Sequence, residues 1–150
     1  MQPSDPPIGY LIHEVSKAFR RRFEEVARQH DLTLPQWRVL AELTRQGGLS
    51  QTRLAGAVDA DPMTMSGILD RLDKRGLVDR QQDPADSRAK IVRLTPEGEA
   101  LFKTAKALGT ELSMSAVDGM SAAELTALAD GLTRIRNNLS GMAAEQKDSV

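Results

Sequence analysis

Apolar residues recur at helical intervals along most of this chain and give way to short strand-like runs in one place. From Ile8 the positions Ile8, Leu11, Ile12, Val15, Phe19, Phe23 and Val26 repeat every three or four residues, which predicts one long amphipathic helix with Lys17, Arg21 and Arg28 on its reverse face. Thr33-x-x-Gln36 has the spacing of a capping box and opens a second helix through Trp37, Leu40 and Leu43, ending at Gly47-Gly48. Ser50 caps a third, short helix with Leu54 and Val58 inward. Asp61 is a further N-cap, and Pro62 sits in the first turn, where a missing N–H costs nothing. Met65, Ile68, Leu69 and Leu72 then form a buried stripe, and Gly76 after Lys74-Arg75 predicts a left-handed stop. Leu77-Val78 and Ile91-Val92 read as two short strands around the polar connection Asp83-Pro84-Ala85-Asp86-Ser87.

Thr95-Pro96 starts a fifth helix carrying Leu101, Ala105, Leu108 and Leu112, with Gly109 as a weak point and Gly119 as its breaker. Ser121-x-x-Glu124 is another capping box, and Leu125, Leu128, Leu132, Ile135 and Leu139 repeat in steps of three and four, close to a coiled-coil period. Residues 1–7, with three prolines and no apolar period, are expected to be a loose arm, and residues 141–150 a frayed tail. The expected fold is mainly α with a small β-hairpin wing. A winged helix-turn-helix over 31–95 is flanked by N- and C-terminal dimerisation helices at 8–30 and 96–140, all within one domain.

The block from Leu32 to Leu94 carries a family likeness. Leu-Thr-Leu-Pro-Gln-Trp-Arg-Val-Leu (32–40), Leu-Ser-Gln-Thr-Arg-Leu-Ala (49–55), the run from Leu69 to Arg80, Asp-Pro-Ala-Asp-Ser-Arg-Ala-Lys (83–90) and Leu-Thr-Pro-Glu-Gly (94–98) together resemble the MarR family of transcriptional regulators, in its SlyA-like branch. No single motif is diagnostic; their order and spacing are. The resemblance spans roughly Ile8 to Leu139 and implies a homodimer on double-stranded DNA, because a two-fold dimer presents two recognition helices about one DNA turn, roughly 34 Å, apart.

Composition bounds this picture. Aromatic residues are only 3 % of the chain, so the core must be built from Leu, Ala, Val and Met. There is no cysteine, which excludes disulfides and thiol chemistry and fits a cytoplasmic location. No apolar run approaches the ~20 residues of a membrane span, and the N-terminus does not read as a signal peptide. The net charge of −1 fits poorly with DNA binding, and Asp61 to Arg93 holds seven Lys and Arg against six Asp. Since DNA affinity comes largely from neutralising phosphates, Arg53, Arg71, Arg75, Arg80, Arg88 and Lys90 must share one face with the acids turned away or paired.

The candidate DNA contacts follow from position. Ser50, Gln51 and Thr52 open the third helix, where free N–H groups and hydroxyls can hold a phosphate. Thr64, Met65 and Ser66 front the recognition helix at 61–75, which is expected in the major groove. Thr64 and Ser66 can donate to base edges, and Met65 can meet a thymine methyl if it faces outward. Arg71 lies one turn on, towards phosphate. Many members of the resembled family carry a basic residue where this chain has Gly67, which removes a contact. The wing 83–90 is expected at the minor groove, with Arg88 entering it, Asp86 holding Arg88 through a carboxylate–guanidinium pair, and Ser87 between them. That Asp-x-Arg role is implied by the resemblance. Arg80 and Lys90 on the flanking strands are further phosphate contacts.

The SlyA-like resemblance also implies a small phenolic or aromatic carboxylate effector between the dimerisation helices and the DNA-reading unit. Its candidate contacts are Trp37 with His13, Lys17 and Arg20, against a plain core role for Trp37 and a surface role for His13. No catalytic residue, metal site or cofactor is expected. The chain has no glycine-rich phosphate loop, G-x-S-x-G or H-E-x-x-H, and its two histidines, His13 and His30, are not at ligand spacing. The rival reading is a winged-helix protein-interaction module without sequence-specific DNA binding.

Overall fold

The computed structural model describes residues 7–147, with side chains to Met142. The expected arm, except Pro7, and residues 148–150 of the expected tail lie outside that range. The elements run α1 (Ile8–Arg28), α2 (Leu34–Gln46), β1 (Leu49–Ser50), α3 (Gln51–Ala57), α4 (Pro62–Lys74), β2 (Val78–Asp83), β3 (Asp86–Leu94), α5 (Pro96–Ala116) and α6 (Ala122–Lys147). No described helix is long and apolar enough to cross a membrane.

Packing divides the chain into two units, Met1–Leu112 and Ser113–Val150. The core of the first is the set of stripes expected from periodicity. Leu40 and Leu43 of α2, Leu54 of α3, Met65, Leu69 and Leu72 of α4, and Val78 and Val92 of the hairpin are all essentially inaccessible to water. At ~1.5–3 kcal/mol for each large apolar side chain removed from water, this cluster is the main force that fixes α4 against the hairpin. The expected capping box and glycine stop are present around it. Thr33 Oγ1 accepts the Gln36 N–H at 3.3 Å while Gln36 Oε1 accepts the Thr33 N–H at 3.0 Å, and Gly76 ends α4 at φ +70°.

The sheet departs from expectation in two ways. Its order is β1-β3-β2, all antiparallel, and β1 was not legible because two residues, Leu49 and Ser50, are too few to show a period. The strands of the hairpin also reach further than Leu77-Val78 and Ile91-Val92, leaving Pro84 and Ala85 as the turn. The polar runs that extend them pair in register, Gln81 with Ile91 and Gln82 with Lys90, with an irregularity at Gln82/Asp83. A hairpin arm projecting into water has no buried face, so no alternation marks it.

Two glycines let α5 approach its neighbours. A Cβ at Gly98 would overlap the Leu77 carbonyl oxygen, so the first turn of α5 seats directly on the backbone leaving α4. A Cβ at Gly109 would come 3.0 Å from Trp37 Cζ2 and 3.2 Å from Phe23 Cε1. The position expected to weaken α5 is a close-approach site, where the absent side chain admits two aromatic rings. The stripe of α1 changes character along its length: Ile8, Leu11, Ile12 and Val15 are exposed, whereas Phe19, Phe23 and Val26 are half-buried.

In the second unit the Ser121/Glu124 box caps α6, with the Ser121 N–H donating to Glu124 Oε2 at 2.7 Å and the Glu124 N–H to Ser121 Oγ at 3.3 Å. The helix continues to Lys147, past the boundary expected near Ser140, since Ala143-Ala144-Glu145-Gln146-Lys147 are all good helix formers. Among the described residues of this unit none is buried, and Leu128, Leu132 and Leu139 are exposed.

Candidate nucleic-acid interface

Three local structures contribute to one surface. The first is the start of α3, where Ser50 Oγ accepts the Arg53 N–H at 3.2 Å and Gln51 and Thr52 follow in the opening turn. The second is the front of α4. Asp61 caps it through both oxygens, accepting the Thr64 N–H at 2.8 Å and the Thr64 hydroxyl at 2.7 Å. These bonds hold the Asp61 carboxyl below its ordinary range and also occupy the Thr64 hydroxyl. Met65 is completely buried, so it is core and not a base contact, contrary to the outward alternative. Met63, two residues earlier and about 200° round the helix, is 85 % exposed. It was not singled out in the sequence, although its place off the stripe of Met65, Leu69 and Leu72 was the available signal.

The third is the hairpin, which is tied down from both strands. Arg80 of β2 pairs with Asp70 at 2.8 Å and Asp73 at 3.0 Å, both on α4. Burial opposes its charge, yet the bonds to Asp73 and Asp70 outweigh that and hold the guanidinium firmly protonated. Arg80 is therefore a clamp between recognition helix and wing, with its donors largely committed. At the tip, Ala85 donates to Asp83 Oδ1 at 2.9 Å and the Gln82 amide to the Ser87 carbonyl at 2.7 Å. Asp86 acts differently from expectation: its Oδ1 accepts the Arg88 backbone N–H at 2.9 Å, and no ion pair among the described residues joins the two side chains. The carboxylate sets the backbone on which Arg88 stands and leaves its guanidinium exposed.

A cleft of about 510 Å³ lies between these three pieces, with Ser50, Gln51, Thr52, Ser66, Arg80, Arg88 and Lys90 among its walls. Its lining has three cations and no carboxylate. Arg80 is answered by Asp70 and Asp73, so the cations this surface offers to a phosphate are Arg88 and Lys90. Thr64, Arg71, Asp86 and Ser87 lie outside its walls, all exposed. Arg75, expected on the same face, turns away: its guanidinium donates to the His30 and Asp31 carbonyls, at 3.2 Å and 2.5 Å. Gly67 has open space where a side chain would project.

A second groove, about 420 Å³, is formed by α1 and α2 and lined by Ser16, Phe19, Arg20, Phe23, Leu34, Trp37 and Arg38. It brings Arg20 and Trp37 together as expected, but not His13 or Lys17, which do not line it; Lys17 pairs with Glu14 at 3.6 Å. Trp37 is mostly core, edge-on to Phe23 and Phe102 at 6.1 and 5.5 Å between ring centres. Arg38, missed in the sequence, supplies the groove's second cation; it follows Trp37 directly and no spacing marks it. Among the described residues no group of three or more His, Cys, Asp and Glu is placed to hold a metal ion.

Comparison with known proteins agrees with this geometry. The MarR family model matches residues 32–90. The HTH-type transcriptional repressor Rv2887 of Mycobacterium tuberculosis is 32 % identical over 123 residues, covering 82 % of this chain and 85 % of its own. A mutant MarR of Escherichia coli, solved in complex with operator DNA, superposes with a TM-score of 0.76 at 28 % identity, over 86 % of this chain and 93 % of that one. Bordetella bronchiseptica BpsR, whose DNA binding is regulated by 6-hydroxynicotinic acid, superposes with a TM-score of 0.75 at 29 % identity, over 87 % and 99 %. A helix-turn-helix with a clamped hairpin, a cation-lined cleft and these relatives lead to one conclusion: the chain belongs to the MarR family of winged-helix, DNA-binding transcriptional regulators.

Proposed function

We propose that this chain is a homodimeric, cytoplasmic repressor that occupies a pseudo-palindromic operator and is released by a small aromatic acid. The observation that carries the reading is the cleft in which the start of α3, the front of α4 and the hairpin meet, with Arg88 and Lys90 presented on it and Arg80 tied to Asp70 and Asp73. In this arrangement the front of α4, with Met63 exposed and Ser66 half-buried, enters the major groove. Gln51, Thr52 and Lys90 hold phosphates, and Arg88 reaches the minor groove, where a narrow A·T tract concentrates negative potential. Arg80 acts indirectly, by fixing the wing's angle to α4. Repression is the simplest consequence of a dimer sitting on a promoter, and it accords with the repressor relative.

The effector part rests on the groove beside Trp37. A ring lies on Phe19 and the indole edge while its carboxylate meets Arg20 and Arg38. A ligand that favours the spacing unable to span two half-sites lowers DNA affinity by its differential affinity for the two states, typically 5- to 150-fold, or ~1–3 kcal/mol.

Fluorescence anisotropy against duplexes tiled from the region upstream of the chain's own gene tests this, at two salt concentrations and beside a scrambled duplex. Tight, salt-weakened binding to one pseudo-palindromic tile, relieved by benzoate or 4-hydroxybenzoate, is the expected result. Equal binding to scrambled DNA, or binding to none, would move the protein-interaction reading ahead.

A further inference from the structure

The helices α1 and α4 end in the same way. In α1 the Leu32 N–H returns to the Ala27 carbonyl at 2.9 Å with Asp31 at φ +53°, and in α4 the Leu77 N–H returns to the Leu72 carbonyl at 3.0 Å with Gly76 at φ +70°. Both are Schellman-type stops, and past such a stop the carbonyls find no donor in their own helix. Arg75, immediately before Gly76, supplies donors to the other helix: its Nη1 reaches the Asp31 carbonyl at 2.5 Å and its Nη2 the His30 carbonyl at 3.2 Å. The same fork sets a positive charge at the negative end of the α1 dipole. Arg75 itself is exposed, but the turn that receives it is packed, with Leu32 buried and the His30 Nε2 shut off from water.

Elsewhere α1 is lightly held. Ala27 is its one buried residue, Phe19, Phe23 and Val26 are half-buried, and the half before them carries the exposed stripe Ile8, Leu11, Ile12 and Val15. At ~1.5 Å per residue its 21 residues make a lever about 30 Å long with its pivot at this joint. A tilt of roughly 10° at the pivot moves the far end by about 5 Å, more than the ~3.4 Å step of one base pair. We propose that Arg75 is a positioning residue. By pinning the end of α4 to the end of α1 it fixes the angle between the striped helix and the recognition helix, and so the half-site spacing that the protein accepts. This role rests on the homodimer proposed above, with the α1 stripe against the second copy, and it replaces the phosphate contact expected for Arg75 from sequence.

The chain has no cysteine, so Gly67→Cys, at a helix position with open space before it, takes a single nitroxide label on each recognition helix. Double electron–electron resonance on the full-length protein should give one narrow label-to-label distance when Arg75 is present. Arg75→Ala should give a broader distribution at unchanged helix content and mass in solution. Anisotropy with the unlabelled proteins, on the operator tile and on copies with its half-sites moved by one base pair either way, reads the consequence. Wild type should lose on the order of tenfold in affinity at a shifted spacing, and Arg75→Ala less than about threefold. Arg75→Lys keeps the charge without the fork and should behave as Arg75→Ala does in both measurements. A distribution as narrow in Arg75→Ala as in the wild type overturns the proposal, as does a spacing penalty that the variant retains or the wild type lacks. A uniform loss at all three spacings, restored by Arg75→Lys, would make Arg75 a phosphate contact instead. No label-to-label distance in the wild type would overturn the homodimer itself, and this role with it.

Discussion

Single residues divide here by which way they face, and facing separates contact from core. Arg88 is exposed at the hairpin tip with its backbone held by Asp86, so truncating it removes a guanidinium and leaves the fold alone. Arg88→Ala is expected to weaken operator binding by ~1–3 kcal/mol with unchanged melting temperature and mass in solution; equal affinity for DNA would discard the wing contact. The two methionines at the front of α4 make a sharper pair. Met65→Ala empties a fully buried site and should destabilise the fold by ~2–5 kcal/mol, whereas Met63→Ala should leave stability within ~0.5 kcal/mol and change DNA affinity or base preference. Denaturant titration and anisotropy on both variants read the contrast directly. A helical stripe shows in sequence which residues are inward, so Met65 was recognisable as core. What sequence does not show is which outward residues converge: Arg75 and Arg80 read as surface cations, and their partners are carbonyls 44 and 45 residues away and acids on another element.

At the scale of elements, α4 is the one whose sequence and structure agree most closely and whose weakness is most exposed. Its cap, its stripe and its glycine stop were all legible because each is a local rule acting within four residues. The hairpin beyond Val78 was not legible, because its strands are polar on both faces and are specified by pairing across a turn. The cap of α4 titrates. Since the Thr64 N–H and hydroxyl depress the Asp61 carboxyl, folded Asp61 stays ionised to lower pH than the unfolded residue at about 3.9. Its contribution is thus complete above that value and is lost as pH falls through the folded one. Stability measured from pH 6 to pH 2 should fall more steeply in the wild type than in Asp61→Asn, which keeps a capping oxygen without the charge; parallel curves would assign the acid sensitivity elsewhere. The weakness is Gly67, in mid-helix with open space before it. Gly67→Lys should raise stability by ~0.5–1 kcal/mol through helix propensity. It should also tighten DNA binding and steepen its salt dependence by about one unit in the log–log slope. A lysine there that leaves the salt slope unchanged would mean that this turn of α4 does not approach phosphate.

For the whole molecule the open question is what covers the apolar residues that neither unit buries. Ile8, Leu11, Ile12 and Val15 form one exposed stripe on α1, and Leu128, Leu132 and Leu139 another on α6, each taken by itself. A helix that lies in water needs only a single apolar face, and that face must be packed against something. At ~1.5–3 kcal/mol for each large side chain fully buried, seven such residues exceed what a soluble chain leaves bare without reason. On the homodimer proposed above the occupant is a second copy, and two clefts held about a DNA turn apart would make a bivalent site where one is a weak electrostatic site. Dimerisation and DNA binding should therefore fail together when the stripe is charged and separately when the cleft is altered. Leu128→Glu, at a site already 45 % exposed, should leave helix content intact, convert the protein to monomer in sedimentation at micromolar concentration, abolish the rise of melting temperature with concentration, and lower operator affinity more than Arg88→Ala does. If Leu128→Glu remains as dimeric as the wild type, the α6 stripe faces something other than a second chain. If it becomes monomeric yet binds the operator undiminished, the two-cleft reading of the operator fails.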